Sequence, residues 1–103
     1  MKTEGRNSGK LTDMGYKVLV TLDLPGATAE QRKAFYEVLL AEKWARVPSL
    51  TTTWTASFTD DLTRDSAASV MQKDLLKAKN ESAVKKVEYA MQLDKGDVFI
   101  ENL

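Results

Sequence analysis

Apolar and polar residues alternate from Tyr16 to Asp23, with Tyr16, Val18, Val20 and Leu22 on one face and Lys17, Leu19, Thr21 and Asp23 on the other. A period of two with apolar residues on both faces predicts a largely buried, central strand. Leu24-Pro25-Gly26 breaks it, and Thr28 followed three residues later by Gln31 is a capping box that opens a helix. Ala34, Phe35, Val38, Leu39 and Ala41 form its apolar stripe, and the helix is expected to end near Trp44. ARVPSL, interrupted by Pro48, predicts a short or edge strand running into a turn.

TTTWTASF alternates again, setting Thr52, Trp54, Ala56 and Phe58 against Thr51, Thr53, Thr55 and Ser57. Asp60, Asp61 and Thr63 are candidate caps for a second helix over about Thr63 to Lys79, with Ala67, Val70, Met71, Leu75 and Ala78 inward. Val87, Tyr89, Met91 and Leu93 mark a fourth strand. After the turn Asp94-Lys95-Gly96-Asp97, VFIENL reads as a short fifth. Right-handed crossovers fold this order into an α+β, ferredoxin-like βαββαβ sheet with both helices on one face. The other face is then open, carrying Leu19, Thr21, Asp23, Thr51, Thr53 and Thr55, and it is expected to meet a second protomer or a ligand.

The 103 residues suit one domain over residues 14–103, preceded by a polar arm, residues 1–13, that is expected to be disordered. Met14 is a candidate native start. A domain this small buries only about 60–65% of its unfolded surface, which favours association with a second copy.

Cysteine and histidine are both absent, which excludes disulfides, thiolate or imidazole metal sites and Ser-His or Cys-His catalysis. Chemistry therefore rests on carboxylates, lysine, tyrosine or hydroxyls. Fifteen basic and fifteen acidic residues give no overall field for nucleic acid or lipid, so phosphate binding needs a local patch. No apolar run approaches a membrane span and the first residues lack a signal-peptide core; a cytoplasmic location is expected.

The apolar strand ending in Asp, VLVTLDLP, the following helix with Arg32-Lys33 early and Leu39-Leu40 late, and Arg46-Val47-Pro48-Ser49 leading into the next strand carry a resemblance. Over Tyr16 to Phe58 the chain resembles the small ferredoxin-fold nuclease superfamily that includes the CRISPR-associated adaptation endonuclease, VapD and, more distantly, the GhoS antitoxin. The resemblance implies a homodimer to which the C-terminal strand, Val98 to Ile100, contributes. It also implies metal-dependent cleavage of RNA or DNA, with Asp23 of each protomer holding magnesium across the two-fold axis and Arg46 and Ser49 near the phosphate. Carboxylates with water suit magnesium or manganese better than zinc.

Each candidate also has an ordinary explanation. Asp23 at a strand end can simply bond the Leu24-Pro25-Gly26 turn. Ser49, Thr51 and Thr53 can contact phosphate or serve strand propensity, Asp60 and Asp61 bind metal or cap a helix, and Lys73, Lys77, Lys79, Lys85 and Lys86 track phosphate or form a solvated face. Trp44 and Trp54 can stack bases, although Trp54 shares the inward register of Phe58. The rival functions are a non-catalytic dimeric binding or regulatory module of antitoxin type and a ligand-binding α+β barrel.

Overall fold

The computed structural model describes residues 15–59 and 61–103. The disordered arm expected over residues 1–13 and the capping role of Asp60 lie outside the described residues. In chain order the elements are β1 (Lys17–Asp23), α1 (Ala29–Ala41), β2 (Ala45–Arg46), β3 (Thr53–Ser57), α2 (Arg64–Ser82) and β4 (Glu88–Asp94). The strands form one antiparallel sheet in the order β2-β3-β1-β4, with β1 central as its two-sided apolar pattern predicts.

Val18, Val20 and Leu22 of β1, Trp54 and Ala56 of β3 and Leu93 of β4 point into one core with Phe35 and Leu39 of α1 and Ala67, Met71, Leu75 and Ala78 of α2. Full burial of each larger apolar side chain is worth about 1.5–3 kcal/mol. This single cluster holds both helices to the sheet.

The β1–α1 link is a turn in which Ala27 N donates to Leu24 O at 3.1 Å, with Pro25 and Gly26 at the corners. Gly26 has φ +76°, the left-handed value that the third residue of a type II turn requires. Thr28 then closes the expected capping box: Gln31 N donates to its Oγ1 at 3.1 Å and Thr28 N donates to Gln31 Oε1 at 3.0 Å. Gln31 Nε2 reaches across to Ala83 O at 3.2 Å, tying the start of α1 to the end of α2.

The first helix ends earlier than its apolar pattern suggests, at Ala41, and leaves Ala41 exposed. Lys43, at φ 74°, turns the chain so that Lys43 N donates to Leu40 O and Trp44 N to Leu39 O, both at 3.0 Å. That pair of bonds is a Schellman motif, and it drives Trp44 into the core beside Leu39.

Two further expectations change. The strand in ARVPSL is cut to two residues, because Pro48 cannot donate to a ladder and the chain turns through Leu50 N to Val47 O at 3.1 Å and Thr53 N to Leu50 O at 2.9 Å. Thr51 therefore belongs to this turn and not to the open sheet face. VFIENL forms no strand in the single chain: residues 97–103 pair with no strand among the described residues, and Phe99 and Ile100 are 86% and 50% exposed.

Candidate functional site

Asp23 closes β1 on the face away from the helices and is exposed. Its Oδ1 accepts from Leu24 N at 2.9 Å, the turn bond its position at a strand end suggests, and its other carboxylate oxygen is left for solvent or a ligand. Directly opposite in the β1–β4 register stands Glu88. Facing side chains in an antiparallel pair have Cβ atoms about 4.5–5.5 Å apart, so two like charges here repel. Lys86 Nζ, 3.3 Å from Glu88 Oε2, relieves part of that repulsion from the surface.

One register step along, Thr21 faces Ala90 on one side and Thr53 on the other. Thr21, Asp23, Thr52, Glu88 and Ala90 border a shallow depression of about 490 Å³. Its donors are all hard oxygens, the set suited to magnesium, manganese or calcium. Among the described residues no group of three or more Asp, Glu, His or Cys could hold a metal ion, so one protomer contributes two carboxylates at most.

The remaining sequence candidates are only partly gathered there. Thr53 belongs to the open face. Ser49 and Thr51 are exposed in the β2–β3 turn. Arg46 pairs in register with Trp54, whose side chain is in the core, and so projects on the helix-covered side of the sheet, opposite to Asp23. Its Cζ lies 4.7 Å from the Tyr36 ring centroid and 5.6 Å from that of Trp54, and its Nη2 donates to Thr51 O at 2.9 Å. The structure thus brings Asp23 and Thr53 to one surface and sends Arg46 to another.

Several other candidates take structural roles. Asp61 is exposed and 3.0 Å from Lys95 Nζ, while Thr63 caps α2 by accepting from Ser66 N at 3.1 Å. Lys77 Nζ lies 2.8 Å from Glu42 Oε2; the hydrogen bond and charge of Glu42 raise its pKa above 10.5. Trp44 and Trp54 are both buried and present no stacking surface for bases.

Two residues escaped the sequence reading. Glu88 had no place among the sequence candidates, and its pairing with Asp23 is a matter of sheet register. Asp74 is buried on α2 and its Oδ2 accepts from Trp44 Nε1 at 2.9 Å. No described helix is long and apolar enough to cross a membrane. Comparison of the chain with protein-family models, with curated proteins and with solved structures gave no match.

Proposed function

We propose that this chain is a ferredoxin-like domain that works as a homodimeric, metal-dependent, nuclease-like protein on RNA or DNA, with Asp23 as the magnesium ligand. The observation that carries this reading is the facing of Asp23 and Glu88 on an open, hydroxyl-bearing sheet surface. Two adjacent carboxylates repel unless a cation lies between them, and a two-fold pairing of protomers would double the set. Bound magnesium would ready a water for attack on a phosphodiester and offset the charge that develops. Asp23 and Glu88 would orient that ion, and Thr21 and Thr53 would donate to phosphate oxygens. With neither histidine nor cysteine in the chain, this reading leans on the metal and on carboxylates for its acid–base chemistry.

The homodimer is supported by three features on one edge. β4 ends the sheet with one row of backbone groups outside the ladder. A groove of about 230 Å³ beside it is lined by Leu75, Leu76, Val87 and Tyr89. The apolar segment Val98–Ile100 follows directly and is unpaired in the single chain. Exchange of that segment would cover the edge and groove of each mate. Light scattering of the chain ended after Asp94 tests it: a monomer is expected, and an unchanged dimer mass would refute strand exchange.

A second reading, a non-catalytic binding module, is favoured by the charge of the open face. Asp23, Glu88 and Asp94 project there against Lys17 and the Lys86 that pairs with Glu88, and Arg46 is turned away. Labelled RNA and DNA, incubated with magnesium, manganese or chelator, separate the two. Metal-dependent cleavage lost in Asp23→Ala supports the nuclease, and binding without turnover by the folded dimer supports the module.

A further inference from the structure

Arg46 stands at the corner where β2 meets the β2–β3 turn. An exposed arginine normally samples many rotamers, and fixing it costs up to about 2 kcal/mol of side-chain entropy. Arg46 is fixed. Its Cζ sits over the Tyr36 and Trp54 rings, and Thr51 O accepts from Nη2 at 2.9 Å. The carbonyl is itself set by the two turn bonds at Leu50 N and Thr53 N and by buried Val47 at the turn's base.

That much anchoring would be ordinary if a carboxylate completed it. Among the described residues none lies within ion-pair distance of Arg46, and the residue is exposed. A guanidinium has five N–H donors in a rigid fork, so the contact to Thr51 leaves several free and their plane already chosen. Ser49 and Thr51, exposed in the same turn, add hydroxyl donors at the surface.

We propose that Arg46, with Ser49 and Thr51, is a preorganised recognition point for a phosphate of a single-stranded nucleic acid, separate from the Asp23–Glu88 surface. This rests on the nucleic-acid reading above and adds a consequence to it. Within one protomer Arg46 and Asp23 project from opposite faces of the sheet, and the strands that carry them, β2 and β1, are separated by β3. With strands about 4.8 Å apart, the two sites cannot grip one phosphate. Arg46 therefore positions a neighbouring phosphate, and the ligand is a polymer that runs over the β2 edge of the sheet. A mononucleotide is too short for both.

The test is fluorescence anisotropy of labelled single-stranded RNA and DNA oligonucleotides of about 12 nucleotides, in chelator and over a salt series, with wild type, Arg46→Gln, Arg46→Lys and Ser49→Ala. Arg46→Gln is expected to weaken binding roughly tenfold and lower the salt slope by about 1. Arg46→Lys, which keeps the charge and loses the fork, should keep the slope and recover only part of the affinity. The melting temperature of Arg46→Lys checks that the stack on Tyr36 has not simply unfolded the corner. Wild-type binding that Arg46→Gln and Arg46→Lys leave unchanged would overturn the recognition point and spare the nuclease reading. No oligonucleotide binding by wild type would overturn both, and competition by polyglutamate but not by oligonucleotide would make the corner a site for acidic peptide instead.

Discussion

Lys43 occupies a backbone conformation that its side chain disfavours, and this permits a sharp stability prediction. At φ 74° it is the left-handed residue of the Schellman motif that ends α1, a position usually given to glycine. The left-handed region costs an ordinary L-residue about 1–2 kcal/mol. Glycine removes that cost and adds about 0.5–1 kcal/mol of chain entropy lost on folding. Lys43 is exposed, and both motif bonds use backbone atoms that glycine keeps. Lys43→Gly should therefore stabilise the fold by about 0.5–1 kcal/mol. For a domain of this size that raises the melting temperature by roughly 2–8 °C. Differential scanning calorimetry reads it directly, with Lys73→Gly in the exposed middle of α2 as the control expected to lose about 0.5–1 kcal/mol. A Lys43→Gly protein that melts at or below the wild-type temperature would refute the assignment of strain to this residue.

Ala83, at φ 62° and exposed, caps α2 in the same region; Ala83→Gly should add a similar increment by urea unfolding, additive with Lys43→Gly because the two caps share no bond. Asp74→Ala should lose about 1.5–3 kcal/mol by orphaning the buried Trp44 N–H, whereas Asp74→Asn, which keeps an acceptor, should lose less in the same assay. Trp44→Phe should destabilise more than Trp54→Phe, since the first removes the indole N–H that donates to the buried Asp74 carboxylate and the second removes the indole N–H of Trp54, which has no partner among the described residues; equal losses in denaturant melts would contradict this. The raised pKa of Lys77 implies stability that is fully present below its ordinary value of 10.5 and lost as pH rises through the raised value, because the folded state holds the proton more tightly. Glu42→Gln should flatten that alkaline limb of a stability–pH profile, and an unchanged limb would remove the Lys77–Glu42 pair as its cause.

Much of the fold was legible because its signals are local. The alternation in Lys17–Asp23 and Thr53–Ser57, the Thr28/Gln31 box and the Leu24-Pro25-Gly26 break all act within a few residues, and the structure realises each. Asp74 was hidden by its identity. It lies three residues after Met71 and four before Ala78, squarely on the inward stripe, and a carboxylate there needs buried donors such as the one Trp44 brings from the end of α1. Trp44 reaches that place only through the left turn at Lys43, which lysine does not advertise. VFIENL has strand composition, yet composition supplies no partner, and in the single chain it has none.

The site was harder to read because it depends on parity. Side chains alternate across a strand, so a shift of one residue in register moves a residue to the other face. In β2 only Ala45 and Arg46 pair, and the register that places Arg46 opposite Trp54 is fixed by the turn after Pro48, not by any pattern in two residues. Asp23 and Glu88 meet for the same kind of reason, through the seven-residue pairing of β1 with β4. The sequence places Asp23 and Arg46 in one proposed grip; the register separates them onto two faces. Asp23 and Arg46 face opposite ways on one small sheet, so on the reading proposed above they act on the same molecule when it is long enough to pass around the β2 edge.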